Sequence, residues 1–219
     1  MLNYHNSTSI EQLPAEVLQQ IFILSGNHHF PLVSWTFYNA ANCQTSVKTA
    51  WLLHKYEYNH ELAFYRGLRR RFFNKDILFQ LDASYQLELK ANGEQPKPLS
   101  FSKRPIPQSL FQVPDQKNYE LVKILLKRGG SSTDHNNYPI IKSAQLGCLD
   151  MVELLLQYKA KAAVKDNLAL IYAVKGKNIK IVKRLIEAGA PVDDDCMKTA
   201  ERNNHPEMIS LLKLYRRKL

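Results

Sequence analysis

The most regular feature of this 219-residue sequence is an apolar helical pattern that recurs every thirty residues in its second half. Val122, Val152 and Val182 are each followed three and four residues later by leucine or isoleucine. This spacing places the three side chains of each copy on one helical face. A looser fourth copy contains Ile209. Repetition at this period predicts a stack of small units, each of which buries its apolar face against its neighbour.

A shorter helix and a tight turn precede the apolar helix in the second and third copies. Residues 137–144 and 167–174 predict the shorter helices, and Gly147 and Gly176 follow them. Glycine readily takes the left-handed conformation with which many helices end. The pattern therefore predicts two antiparallel helices per unit. The first copy lacks a clean leading helix, because three prolines crowd its place: Pro105, Pro107 and Pro114.

This unit resembles the ankyrin repeat, in which a helix with a small packing residue is followed by glycine, a V-x-x-L-L helix and a hairpin-like loop. Ala144, Ala173 and Ala200 match the small position, and Gly189-Ala190 matches the helix exit. The family's threonine-proline-leucine-histidine opening is absent, and the period is shorter than its usual ~33 residues. Another helical-hairpin repeat is the alternative. The resemblance implies an all-α stack that presents a binding surface.

The first fifty residues predict three short helices. Pro14 stands where a first helical turn tolerates proline, and residues 31–40 and 47–53 predict a second and a third helix. Together these helices carry more apolar side chains than they can hide, so we expect a partner to cover them. The first helix has an apolar stripe: Val17, Leu18, Ile21 and Leu24.

Residues 9–50 resemble an F-box, the three-helix motif that docks onto the adaptor subunit of cullin-RING ubiquitin ligases. The matching elements are Leu13-Pro14, Glu16 and the later segment 33–37, and the connection between them is shorter than the family often has. A small helical cap without adaptor contact is the alternative. The resemblance implies these adaptor-binding residues: Leu13, Pro14, Glu16, Val17, Ile21, Val33, Trp35 and Phe37.

Residues 51–115 predict a helical linker region. Apolar residues between 51 and 81 indicate further helices, whereas residues 91–107 turn to the glycine, proline, lysine and serine typical of a loop. The predicted organisation is an F-box-like motif at 9–50, this linker at 51–115, and three to four divergent ankyrin-like repeats at 116–219. Four arginines of the linker either cover apolar surface with their stems or contact nucleic acid: Arg66, Arg69, Arg70 and Arg71.

The net charge of +10 is concentrated in the repeats, where residues 116–219 hold 19 lysines and arginines against 11 acidic residues. Lysines recur around the loops and the leading helices. They predict an acidic partner or, alternatively, a surface that charge keeps soluble. The candidate target-binding residues are Lys142, Lys161, Lys165, Lys175 and Lys177.

No constellation of residues for catalysis stands out, so we expect a non-catalytic protein without a cofactor. His60-Glu61 opens a segment similar to the zinc motif HExxH, but Phe64 occupies the position of the second ligand. The acidic run at 193–195 caps a helix more simply than it binds a cation. Metal and nucleotide sites are therefore not predicted.

The three cysteines are scattered, which favours a reducing compartment. No apolar run reaches the roughly 18 residues of a membrane span, and the amino terminus lacks the pattern of a secretory signal. These features favour a location in the cytoplasm or the nucleus, away from membranes.

The two resemblances together imply a substrate receptor of a cullin-RING ubiquitin ligase, similar to fungal F-box/ankyrin proteins. Its first fifty residues would recruit the adaptor and through it a cullin, and its repeats would hold an acidic target protein. The protein would contribute by holding the target close to the enzyme that transfers ubiquitin. The alternative is a basic ankyrin-repeat protein associated with nucleic acid or another acidic partner, without ligase recruitment. The dependence of binding on salt concentration distinguishes these two functions, since contacts to phosphates weaken steeply as the salt concentration rises.

Overall fold

The computed structural model describes residues 9–42, 44–163 and 167–216, apart from the side chains of residues 134 and 135. These residues form twelve α-helices and no strand, with one isolated bridge between Pro105 and Ser131. The predicted all-α class is confirmed. The chain divides into two compact units, Met1–Ser100 and Phe101–Leu219.

Five helices form the described part of the first unit. The third of them runs through residue 50 and packs between the first and the fifth, so this unit includes much of the segment that the sequence assigns to the linker. Asn59 and Asn74 fix where the last two helices begin, because each side chain accepts a hydrogen bond from a backbone N–H of the first turn. The helices are α1 (Ala15–Ser25), α2 (Trp35–Asn42), α3 (Thr45–Lys55), α4 (His60–Gly67) and α5 (Lys75–Ala91).

Helix α2 begins four residues later than the apolar pattern predicts. A 3-10 turn occupies Phe30–Leu32, and the Ser34 hydroxyl accepts a hydrogen bond from the N–H of Phe37 at 3.3 Å. Serine is a favoured residue immediately before a helix because it satisfies such an unpaired N–H. The start of the helix is therefore set by a cap and not by the first apolar residue.

Aromatic rings form the core of the first unit around Trp51, which is fully buried. The ring of Phe22 on α1 stacks on Trp51 with centroids 5.7 Å apart, and it also meets Phe30 at 5.5 Å. Leu18 and Phe22 lie one turn apart on the inward face of α1 and are both buried. The opposite face of α1 remains outside this core.

Residues 93–107 contain no helix, as their composition predicts, yet the segment is packed. Leu99 is buried, and its N–H donates a hydrogen bond to Asp82 Oδ1 on α5 at 2.8 Å. This bond satisfies a buried backbone donor that a loop would otherwise leave unpaired. The end of the first unit is thus attached to α5.

Helical hairpins form the second unit. The leading helices α7, α9 and α11 pack side by side, and α8 packs on α10 behind them. A 3-10 turn, Gln108–Phe111, takes the place of a leading helix before α6, which agrees with the crowding of prolines there. The helices are α6 (Gln116–Lys127), α7 (Asp134–Gln145), α8 (Leu149–Gln157), α9 (Leu168–Lys175), α10 (Ile179–Glu187), α11 (Asp194–Arg202) and α12 (Pro206–Arg216).

The thirty-residue apolar pattern lines the core of the second unit. Val122, Val152 and Val182 are fully buried, as is the leucine three residues after each of them. In the fourth copy Leu212 is buried, but Ile209 is only half-buried because no further described hairpin packs against α12. The predicted stacking is confirmed for the first three copies and is looser in the last.

Candidate binding surfaces

The first unit exposes large apolar side chains on α1, α2 and the turn between them. Helix α1 is apolar on two sides, because Leu18 and Phe22 face the core while Val17 and Leu24 face solvent. Exposed apolar groups collected on one small unit mark a place where a partner binds. We call this set the N-terminal apolar surface: Leu13, Val17, Leu24, Leu32, Val33 and Trp35.

The residues proposed for adaptor binding fall into two groups. Ile21 is half-buried, and Phe37 is buried, with its ring stacked on Phe30 at a centroid distance of 4.4 Å. The Trp35 side chain is 73% exposed and stacks on Tyr38. Phe37 is therefore part of the core of this unit, while Trp35 belongs to the N-terminal apolar surface. The exposed members are Leu13, Pro14, Glu16, Val17, Val33 and Trp35.

A groove runs between the start of α1 and α2. Its lining includes Leu13 and Leu18 from the first segment and Thr36, Asn39 and Ala40 from α2. Its volume is about 390 Å³, which is enough for a few side chains. Leu32 of the N-terminal apolar surface is not among the residues that the F-box resemblance implies, because the matching segment begins at residue 33.

In the repeats, the predicted target-binding lysines that the structure describes are distributed over both ends of the helices. Lys175 and Lys177 are exposed where α9 joins α10, and Lys142 lies near the corresponding end of α7. Lys161 is exposed in the loop between α8 and α9, at the opposite end of these helices. Lys165 lies outside the described residues.

Polar side chains tie successive short turns together. A Cβ on Gly147 would lie 3.1 Å from Nδ2 of Asn178, so the turn of one repeat fits closely against the side chain of the next. Asn203 of the following repeat donates through Nδ2 to the carbonyls of Val174 and Lys175, at 3.4 Å each. These contacts fix the later turns relative to one another.

A cleft of about 450 Å³ opens at the first of these turns, between the segment that precedes α6 and the turn between α7 and α8. The sequence does not indicate this cleft, because its shape depends on the 3-10 turn that replaces the first leading helix. We call it the first-turn cleft, and its lining includes Leu110, Phe111, Val113, Asp115, Tyr119, Leu146, Cys148, Asp150 and Met151.

Thiols of the repeats lie in environments that suppress their reactivity. Burial raises the pKa of the Cys148 thiol, and the neighbouring charge of Asp150 raises it further. Burial also raises the pKa of the Cys196 thiol, with an additional contribution from Asp193. A thiol with a raised pKa is a poor nucleophile at neutral pH. Cys43 lies outside the described residues.

Two of the polar motifs noted in the sequence have structural roles. His60 is buried at the start of α4, with Nε2 2.8 Å from Ser84 Oγ and Nδ1 2.8 Å from Glu88 Oε2, which attaches α4 to α5. Asp193 caps α11 by accepting a hydrogen bond from the N–H of Cys196 at 2.8 Å. The predicted helix cap at the acidic run is confirmed.

Two family models match the chain. Ankyrin repeats, in three copies, match residues 110–196, and the YDR249C N-terminal domain matches residues 11–42. The second match covers most of the segment that resembles an F-box, while no F-box family matches. A search of curated proteins and a search of solved structures gave no match.

The residues at which the ankyrin match begins and ends agree with the positions of the helical hairpins. It begins at the 3-10 turn before α6, six residues earlier than the predicted start at 116, and ends inside α11. None of the helices in the described ranges is both long enough and apolar enough to cross a membrane. Ankyrin repeats are in general non-enzymatic modules that bind proteins. Residues 110–196 of this chain are ankyrin repeats and therefore indicate a role in binding other proteins.

Proposed function

We propose that this protein joins two other proteins and catalyses no reaction itself. The ankyrin repeats bind one partner, and the N-terminal apolar surface binds the other. The observation that carries the proposal is the exposure of four large apolar side chains on the first unit: Leu13, Val17, Val33 and Trp35. Large apolar and aromatic groups exposed together on a small unit are typical of a protein interface.

The partner of the N-terminal apolar surface, in this proposal, is the adaptor subunit of a cullin-RING ubiquitin ligase. The protein then acts as a substrate receptor and brings lysines of the target within reach of the transferring enzyme. The order of Leu13-Pro14, Glu16 and the segment 33–37 supports this assignment, together with the three helices α1 to α3.

A second candidate is favoured by the family matches and the charge. The match at 11–42 is to the YDR249C N-terminal domain and not to an F-box, and residues 116–219 hold 19 basic against 11 acidic residues. In this alternative the protein binds an acidic partner or nucleic acid and recruits no ligase.

Reconstitution from purified components tests the receptor role. We expect the full chain to bind an immobilised adaptor–cullin complex and to stay bound in 0.5 M salt, because apolar contacts resist screening whereas phosphate contacts do not. The double change Leu13→Ala and Pro14→Ala should abolish binding. Leu87→Ala, at an exposed position on α5, is the matched control and should bind as the wild type does. If the wild-type chain fails to bind the complex, the receptor role is wrong, while the ankyrin assignment is unaffected.

We also propose that the target is acidic where it contacts the repeats. The lysines at the two ends of the helices provide separate tests, since Lys175 and Lys177 lie at one end and Lys161 lies at the other. Complementary charge accelerates association, so reversal to glutamate at the contacting end should slow binding more than it speeds release. A target found by mass spectrometry after pull-down is measured against Lys175→Glu/Lys177→Glu and against Lys161→Glu/Lys165→Glu. An on-rate independent of salt in all three chains would exclude an acidic contact.

A further inference from the structure

The first-turn cleft combines an apolar floor with an acidic rim in a part of the chain that is otherwise basic. Leu110, Phe111 and Met151 form much of the floor and are each at most 8% exposed. Asp115 and Asp150 stand exposed at the rim. No lysine or arginine lines the cleft within the part of the chain that the structure describes. The cleft is therefore opposite in charge to most of the second unit.

The cleft is open because the first turn differs from the later ones. In the third repeat the Asn178 side chain lies against Gly147 and fills the space beside that turn. The residue thirty positions earlier is Cys148, whose side chain is shorter and carries no amide. The connection into α6 also has four residues, 112–115, whereas that into α8 has three, 146–148. Both differences leave space at the first turn that the later turn does not have.

The rim carboxylates are available to a ligand. Asp115 caps α6 by accepting a hydrogen bond from the N–H of Lys117 at 3.0 Å through Oδ1, and Asp150 lies in the first turn of α8. Helix N-termini favour negative charge, so a carboxylate side chain is well placed at each of these two positions beside the cleft. Within the described residues, no lysine or arginine nitrogen lies within 4 Å of either carboxylate.

We propose that the first-turn cleft binds a short segment of a partner protein in which an apolar side chain is followed within a few residues by lysine or arginine. The apolar side chain covers Val113, which is 61% exposed, and rests on the floor of the cleft. The basic side chain reaches Asp115 and Asp150. A volume of about 450 Å³ suits a few side chains and not a folded domain. This site is separate from the N-terminal apolar surface and does not depend on the proposed ligase role.

A library of random 12-residue peptides displayed on phage, selected on the immobilised full chain, tests the proposal. We expect the selected peptides to share an apolar residue with lysine or arginine within four positions. Fluorescein-labelled copies of these peptides are then titrated with the chain, and fluorescence anisotropy gives their dissociation constants. Val113→Glu should weaken binding at least tenfold, because it places charge on the apolar contact. Leu214→Glu, at a position 52% exposed on α12, is the matched control and should leave binding unchanged.

The pair Asp115→Asn and Asp150→Asn preserves side-chain shape and should weaken binding at least fivefold at low salt, with a smaller loss in 0.5 M salt. This variant decides the question by itself if circular dichroism shows that Val113→Glu unfolds the repeats. Selection of acidic peptides, binding that survives both sets of changes, or no selection above the bare support would overturn the proposal. The Leu13→Ala/Pro14→Ala variant should bind the selected peptides normally, which separates this site from the adaptor contact.

Discussion

Asn137 and Asn167, thirty residues apart, share the same left-handed backbone conformation, with φ of 63° at each. Asn167 immediately precedes α9, and Asn137 occupies the equivalent position near the start of α7. Asparagine adopts this conformation at lower cost than most other residues with a side chain. Nδ2 of Asn167 also donates to the carbonyl of Pro191 and, at 3.1 Å, to Asp193 Oδ2. The repeat therefore has a recurring backbone feature as well as a recurring apolar face.

Two replacements of Asn167 separate the cost of backbone strain from the cost of losing its hydrogen bonds. We expect Asn167→Ala to lower the free energy of unfolding by about 1 to 3 kcal/mol, since alanine is strained at positive φ and makes neither hydrogen bond. Asn167→Gly relieves the strain and should cost less than the alanine variant. Urea unfolding of the two variants and the wild type gives the comparison. Equal stability of the alanine variant and the wild type would show that the residue has no structural role.

Leu155 tests the stacking of the repeats, because it is fully buried on the apolar face of α8. Truncation of a buried leucine to alanine costs about 2 to 5 kcal/mol, and we expect Leu155→Ala to lie in that range. Leu214→Ala removes the same atoms from an exposed position and should cost under about 0.5 kcal/mol. Denaturant unfolding measures both changes. A loss below half a kcal/mol at Leu155 would contradict the observed packing.

Asp193 should make the stability of the repeats sensitive to acid. Burial tends to raise the pKa of this carboxyl, but hydrogen bonds from the Cys196 N–H and from Asn167 outweigh it and hold the pKa below its ordinary value. A depressed folded-state pKa gives stability that is present above the unfolded-state pKa of about 3.9 and is lost as pH falls through the folded-state value. We expect Asp193→Asn to be less stable than the wild type at pH 7 and to lose less stability below pH ~4.

Urea unfolding at several pH values between 7 and 2.5 measures that difference. Asp195→Asn is the matched control, because its carboxylate also lies in the first turn of α11 but is 75% exposed. The unfolding free energy of this variant should depend on pH as that of the wild type does. If the unfolding free energies of Asp193→Asn and the wild type change in parallel with pH, Asp193 does not contribute to the acid sensitivity.

Cys148 should react slowly with alkylating reagents, and Asp150 should be part of the reason. Burial is the larger cause of the raised pKa of this thiol, and the negative charge of Asp150 adds to it. Because removal of that charge favours the thiolate, Asp150→Asn should lower the pKa and raise the alkylation rate at pH 8. Mass spectrometry of iodoacetamide-treated protein reports the rate at Cys148 separately from the other cysteines. An unchanged rate would show that the charge does not act on the thiol.

The sequence predicts those parts of the fold in which apolar residues recur at a helical spacing. Val122, Val152 and Val182 define buried helices because the same apolar face recurs in each copy. The extent of α5 was not predictable in this way. The apolar residues that indicate helices in the linker end at residue 81, whereas α5 runs over Lys75–Ala91. The part of α5 beyond residue 81 is held by contacts such as that of Asp82 with Leu99.

The candidate sites likewise have one part that the sequence predicts and one part that it does not. Exposure of Trp35 and Val17 follows from a surplus of apolar residues that the sequence already contains. The first-turn cleft was missed because its shape comes from the replacement of a leading helix by a 3-10 turn, which sequence spacing does not describe.

The passage of α3 through residue 50 determines which fragment of the chain can fold alone. A fragment that ends at residue 50 loses Trp51, leaves the ring of Phe22 without its stacking partner and exposes the inner face of α1 to water. Such a fragment would stick to unrelated apolar surfaces and would imitate a specific partner. A fragment that ends at Ser100 retains Trp51 and the hydrogen bond from Leu99 to Asp82. Binding attributed to the amino-terminal helices is therefore meaningful only when residues up to about 100 are present.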